Sequence, residues 1–343
     1  MVSLYDLNLA ELTDFCVGLG ERPFRARQLY AWLYGKGIND FSLMTDIPEA
    51  AREKIALSSR ADELFLSKAG VSADGQTTKY LFKLDDGGCI ETVFMKYKDR
   101  NSICISTQAG CRMGCRFCAS GLLGLARNLS PSEMILQVIL SERAAGARTK
   151  NIVLMGVGEP LDNYDNVRKF IENITDDHGR DLSRRAITLS TCGIVSGIER
   201  LAKELPQVNL AVSLHAPNDE LRAKIMPITK KYGVRDVIEA TKNHYKATRR
   251  RSTFEYALID GFNDGTEHAR ELATLLKGFN CLVNLIPLNS QAAGRWRGSG
   301  TDRAEWFREE LGRRHVPATV RKSLGADIDA ACGQLRLRNI GDG

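Results

Sequence analysis

From about residue 102 onward, short apolar strands alternate with amphipathic helices. Strands are predicted near 102–107, 151–156, 186–191, 209–214, 253–260, 281–287 and 316–321. Helices are predicted over 131–145, 194–205, 234–248 and 266–277. That rhythm requires parallel βαβ units, so the fold class is α/β, either an open doubly wound sheet or a barrel. In a barrel, residues just past each strand share one face and build the site there.

The chain before residue 102 reads differently. Residues 1 to about 62 are helical in pattern, with Leu9, Leu12, Phe15 and Cys16 at one spacing and Leu29, Trp32 and Leu33 at another. Pro48 marks a helix first turn. Thr78–Leu84 and Cys89–Tyr97 are β-rich, and Asp85-Asp86-Gly87-Gly88 between them is a hairpin turn signal. The expected organisation is a helical segment 1–62, a β extension 63–96, a barrel with its C-terminal segment 97–335, and a tail 336–343.

Composition excludes several classes. Apolar residues at 43% and charged ones at 26% belong to a globular protein, not a disordered one. No run of about 18 apolar residues exists to span a bilayer. Met1 to Asp6 lack a basic region and an apolar core, so no signal peptide is expected. The expectation is a cytoplasmic protein with reduced thiols. The net charge of +6 permits a nucleic-acid partner without establishing one.

Nine cysteines remain to be explained. Cys111, Cys115 and Cys118 form a C-x3-C-x2-C loop directly after the first strand of the alternating region. Zinc sites want four ligands, and no second pair lies nearby. Three thiolates in one tight loop suit a [4Fe–4S] cluster with one iron left open to an amine and a carboxylate. Core packing of three small residues is the alternative, and the Gly and Arg residues around them argue against it.

This loop resembles the cluster motif of the radical S-adenosylmethionine (SAM) enzymes. The resemblance implies a partial (β/α)6 barrel and a cluster that cleaves SAM reductively to a 5′-deoxyadenosyl radical. Gly156-Val157-Gly158-Glu159-Pro160, Ser190-Thr191, Ser213-Leu214-His215, Asn289 and the tail Asp327-Ile328-Asp329-Ala330-Ala331-Cys332-Gly333-Gln334-Leu335 extend it. Together, from about residue 20 to 335, they resemble the RlmN/Cfr family of RNA methyltransferases.

That resemblance implies roles. Cys332 is the thiol methylated by one SAM, and a second SAM supplies the radical, two per turnover. Cys104 resolves the adduct through a disulfide with Cys332. Glu91 accepts the C2 proton, although strand alternation alone favours an outward-facing carboxylate. Gly158, Glu159, Ser190, Ser213, Leu214, His215 and Asn289 contact SAM. Cys16, Cys89, Cys192 and Cys281 are left to core packing. The implied reaction is methylation of C2 of an adenosine in 23S rRNA and in tRNAs, with an electron donor such as flavodoxin, no membrane partner and a monomeric enzyme. The rival is C8 methylation, as in Cfr; Pro160 and Ile286-Pro287-Leu288-Asn289 fit the C2 branch. A non-catalytic iron–sulfur RNA-binding protein would need neither Cys104 nor Cys332, and a radical SAM activase would not need the Cys332 tail.

RNA binding needs phosphate neutralisation. Arg184-Arg185, Lys230-Lys231, Arg249-Arg250-Arg251, Arg295/Arg297 and Arg313-Arg314 are candidates, if they gather around one barrel mouth.

Overall fold

A computed structural model describes residues 1–61, 64–121, 124–289 and 296–335. The order is β1 (Val2–Ser3), α1 (Leu9–Gly18), α2 (Phe24–Tyr30), α3 (Glu49–Ser58), β2 (Ser59–Arg60), then β3 (Leu64–Val71), β4 (Thr77–Leu84), β5 (Cys89–Lys96), β6 (Asn101–Cys104), β7 (Gln108–Gly110) and β8 (Leu125–Asn128). Then follow α4 (Pro131–Ala145), β9 (Asn151–Leu154), α5 (Tyr164–Ile174), β10 (Ile187–Thr191), α6 (Val195–Glu204), β11 (Asn209–Ser213), α7 (Asp219–Ile225) and α8 (Val234–Thr248). The last elements are β12 (Ser252–Leu258), α9 (Thr266–Leu276), β13 (Cys281–Pro287), α10 (Thr301–Arg313) and β14 (Ala318–Val320).

A ten-stranded sheet runs β14-β13-β12-β11-β10-β9-β6-β5-β4-β3. β6 and β9 to β14 pair in parallel, and β3 to β6 pair antiparallel. Every predicted barrel strand is present, and α5, α7 and α10 add to the predicted helices. The expected hairpin is a three-stranded meander, because Leu64–Val71 pairs on its outer edge. It continues the barrel sheet through β5, whose side chains are buried on both faces up to Met95.

Helix α4 shows why the N-terminal segment is needed. Its run Met134, Ile135, Leu136, Val138 and Ile139 leaves no polar face, and all five are buried. One face packs on the sheet and the other is covered by the N-terminal segment, including Leu4 and Tyr5 at zero exposure. Ser130 caps the helix in a box with Glu133, Pro131 opens it, and Gly146 closes it at φ +62°. The Asp6 carboxylate accepts from the Ser132 N–H at 2.9 Å, tying the segment to that first turn. The boundary at 62/63, Leu122, Leu123, Arg295 and the 336–343 tail lie outside the described residues.

Candidate active site

The cysteine loop hangs between β7 and β8, which form a small antiparallel ribbon. Gly110 has φ +83°, and a Cβ there would lie 2.0 Å from the Gly124 carbonyl oxygen, so this close crossing requires glycine. Cys111 N–H then donates to Gly124 at 2.8 Å. Cys111, Cys115 and Cys118 line one cavity of about 170 Å³ together with Gly158, Glu159, Ser190, Ser213, His215, Asn289 and Cys332.

Burial pushes the Cys111 thiol up to about 12 and raises Cys115 and Cys118 as well. Among the described residues, one group of three metal-ligating side chains has all its donor atoms within 4.8 Å, namely Asp176, Asp177 and His178. The three thiols are therefore spread more widely. A single tetrahedral ion with metal–sulfur bonds of about 2.3 Å would draw its thiolates to roughly 3.8 Å from one another. Three soft donors at wider spacing fit a polynuclear cluster with an open position facing the cavity.

The cavity wall is built from backbone-fixed polar groups. Gly158 sits at φ +111° with Gln108 so close that a Cβ would meet its Cβ at 2.7 Å. Gln108 fixes this turn: its Oε1 accepts from Glu159 N–H at 2.8 Å, and its Nε2 donates to Asp162 at 2.9 Å. The Glu159 carboxylate accepts from Cys192 N–H at 2.7 Å and Leu161 N–H at 3.1 Å, and burial raises its pKa. His215, at φ +58°, accepts from Ala257 N–H through Nδ1 at 2.9 Å. Burial lowers its pKa to about 3, so the ring is neutral and its Nε2–H is the donor.

Leu214 does not line the cavity. Its side chain is in the core, and its carbonyl accepts from Arg222 Nε at 3.0 Å. Arg222, at zero exposure, also donates to Cys192, Ser213 and Tyr232 carbonyls and to Thr229 Oγ1. All five of its N–H groups are thereby used, and they lock the ends of β10 and β11.

The two remaining thiols lie next door. Cys104 and Cys332 line a second cavity of about 40 Å³, and Cys332, Asn289, Met155, Ile286 and Arg321 line both. Burial pushes Cys104 up to about 12, with the Cys332 charge adding and Arg321 opposing. All nine cysteines are free thiols, so the disulfide expected from the resemblance is not formed in this structure. The Cys332 segment rests on the cluster loop: Ala119 N–H donates to Gly333 at 2.8 Å, Ser120 Oγ to Leu335 at 2.6 Å, and Asn289 to Cys332 at 3.4 Å.

Glu91 is buried, not outward-facing as alternation alone favours, because the sheet continues past β5 and the Cys332 segment covers this side. It lines neither cavity. Lys79 Nζ lies 3.3 Å from its carboxylate and 3.2 Å from the Asp329 carbonyl, linking Glu91 to the Cys332 segment. The Glu91 carbonyl accepts from Ser106 Oγ, and Ser106 in turn is held by Gln137 of α4.

Sequence reading missed Lys79, Gln108, Gln137, Arg222, Glu255 and Arg321. A charged residue inside an apolar strand was a signal for Glu255, which lines the cavity with one carboxylate oxygen unpartnered. The Cys332 thiolate raises Arg321, burial opposes it, and Glu255 adds to the rise. No pattern marks the others, which matter through neighbours distant in sequence.

The basic clusters do not gather at one mouth. Lys230-Lys231 and Arg297 follow strands and lie at the cysteine end; Arg184-Arg185, Arg249–Arg251 and Arg313-Arg314 precede strands and lie at the opposite end. Among the described residues no helix is long and apolar enough to cross a membrane.

A parallel barrel with a three-cysteine loop at its C-terminal end defines a radical SAM enzyme, and residues 105–273 match the profile of the radical SAM superfamily. Residues 2–60 match the ribosomal RNA large subunit methyltransferase N-terminal domain. A protein of Desulforamulus reducens named "Probable dual-specificity RNA methyltransferase RlmN" is 48% identical over 98% of this chain and 96% of its own length. One of the same name from Caldanaerobacter subterraneus subsp. tengcongensis is 47% identical over 100% of both. The crystal structure of a radical SAM methyltransferase from Sphaerobacter thermophilus superposes with a TM-score of 0.95 at 44% identity, covering 98% of this chain and 99% of that one. The chain belongs to the RlmN family of dual-specificity radical SAM RNA methyltransferases.

Proposed function

We propose that the protein methylates C2 of an adenosine in 23S rRNA and in tRNAs through a methyl group carried on Cys332. The observation that carries this reading is that Cys332 lines both the cluster cavity and the smaller cavity holding Cys104. Cys111, Cys115 and Cys118 would hold a [4Fe–4S] cluster. Glu159, Gly158, Ser190, Ser213, His215 and Asn289 would hold SAM, with Leu214 acting through its Arg222-bound carbonyl. Bound there, cluster and SAM supply a methyl group and a carbon radical, two SAM per turnover, with electrons from a donor such as flavodoxin.

The residues then divide the work. Aromatic C2 is a poor nucleophile, so the carbon must arrive on a carrier that can enter both cavities. Arg321, beside both thiols, opposes the rise that burial imposes on Cys104. Glu91, held by Lys79 against the Cys332 segment, takes the C2 proton. Cys104 attacks the Cys332 sulfur, the S–C bond to the product breaks with its electron pair going to carbon, and a proton there completes the methyl group, so the thiols join only at that step. The target base must leave its stack to reach this depth. A monomer in the cytoplasm suffices for these steps.

Mass analysis of adenosine from RNA treated with reconstituted enzyme tests the reading. Methyl at C2 is expected; methyl at C8, or none, overturns it. Cys104→Ala is expected to accumulate a covalent protein–RNA adduct through Cys332, and normal turnover by that variant would remove Cys104 from the mechanism.

A further inference from the structure

The sheet sorts charge between its two ends. Because β6 and β9 to β14 are parallel, every connection leading into them lies at the end opposite the cysteines. Those connections, residues 97–100, 146–150, 175–186, 205–208, 249–251, 277–280 and 314–317, hold twelve Lys or Arg against four Asp. Connections leaving the strands at the cysteine end, residues 105–130, 155–163, 192–194, 214–218, 226–233, 259–265 and 288–300, hold seven Lys or Arg against four Asp or Glu, while the segment after β14 runs back along the sheet to the β3–β4 turn.

Arg180 is paired with Glu142 and Arg314 with Glu310, but a central group of these cations is not neutralised locally. Arg100, Arg185, Arg249 and Arg251 are exposed. Among the described residues, none of them and not Arg250 has a carboxylate within 4.0 Å. Arg100 and Arg185 line one cavity of about 200 Å³ with Asn151 and Asn209. Arg250 is half-buried, bonded to Asn209, and its pKa is lowered by burial and by Arg185 beside it. Like charges held together without counter-ions are costly, and a polyanion relieves that cost. The surface also runs into the N-terminal segment: Arg148 donates to the Gly35 carbonyl, Arg143 to that of Gly37, and Gly179 packs against Tyr30 and Tyr34.

We propose that this end of the barrel, with the adjoining N-terminal segment, is a second RNA docking surface that grips phosphates remote from the target nucleotide. The proposal rests on the RNA-methyltransferase reading. Arginine forks suit phosphate oxygens better than lysine points do. Seven-residue strands such as β12 separate the two ends by about 23 Å, so only an RNA with structure flanking the target reaches both.

The test uses the full chain and two RNAs: a short hairpin carrying the target adenosine, and the same hairpin with flanking helices. Arg100, Arg185, Arg249 and Arg251 are changed together to Gln; all are exposed, so folding is preserved, which circular dichroism checks. Binding is titrated against salt. For the long RNA, the slope of log K against log salt should become shallower by about 3, with affinity falling 10- to 100-fold at low salt. The short hairpin should bind the variant as it binds the wild type. Lys230→Gln with Lys231→Gln, at the cysteine end, should weaken both RNAs. An unchanged long-RNA slope overturns the proposal. So does loss of reduction by an acidic flavoprotein with RNA binding intact, which would assign this end to a protein. Failure of the wild type to methylate either RNA would instead overturn the functional reading, whatever the slopes show.

Discussion

Replacing Arg222 by Met removes a buried cation that has carbonyl and hydroxyl partners only. Five hydrogen bonds are lost, at 2.5 to 3.2 Å, to Cys192, Ser213, Leu214, Thr229 and Tyr232. A charged hydrogen bond is worth about 1.5–3 kcal/mol, so the gross loss is roughly 7–15 kcal/mol. Methionine fills much of the volume and removes the several kcal/mol of desolvation carried by an ion at zero exposure. The net expected loss is about 3–5 kcal/mol. With a guanidinium m-value of about 6 kcal/mol/M for a chain of this size, the midpoint should fall by roughly 0.5–0.8 M. Arg222→Lys keeps the charge but offers three donors without the planar fork, and should recover less than half of the loss. Because the carbonyls of β10 and β11 lose their common anchor, SAM binding should weaken by more than tenfold in both variants. A midpoint change below 0.2 M for Arg222→Met, or full recovery by lysine, would refute the reasoning.

Gly158→Ala places a Cβ 2.7 Å from Gln108 at φ +111°, so about 2–3 kcal/mol of stability and most SAM affinity should be lost, measurable by denaturation and by calorimetry of SAM binding. Lys79→Met removes the ammonium 3.3 Å from Glu91; RNA methylation should slow at least tenfold while methyl transfer to Cys332 continues, which mass spectrometry of the protein would follow. His244 is buried with both ring nitrogens unpartnered, and burial lowers its pKa to about 4. Its unfolded pKa is near 6.5, so the unfolded state binds the extra proton between these values and stability is lost as pH falls. Relative to wild type, His244→Leu should therefore gain about 1.4 kcal/mol per pH unit from pH 6 to 4.5, and a pH-independent difference would contradict the assignment.

Much of the site was legible because its residues come in short runs. The strand–helix rhythm fixed where connections leave the sheet: Cys111 to Cys118, Gly158-Glu159 and His215 all follow predicted strands, and Ser213 lies at the end of one. Glu91 was the harder case. Strand alternation gives a face but not what covers it, and the covering pieces, β4 with Lys79 and the Asp327–Leu335 segment, lie up to 250 residues apart in contact order. Leu214 shows the converse: it sits in a recognisable motif, yet its side chain belongs to the core and only its backbone bears on the site.

Local chemistry made the sequence decisive for the cluster loop and for the alternation that forces parallel strands. Each of these depends on residues within one turn or one βα unit. The tertiary structure alone decided which thiols share a cavity, that Arg222 spends every donor on the ends of two strands, and that the basic clusters divide between opposite ends of the barrel. Charge and hydrogen bonding act through space, and the distance between Cys104 and Cys332, or between Arg185 and Arg250, is set by strand order and what covers the sheet rather than by the spacing along the chain.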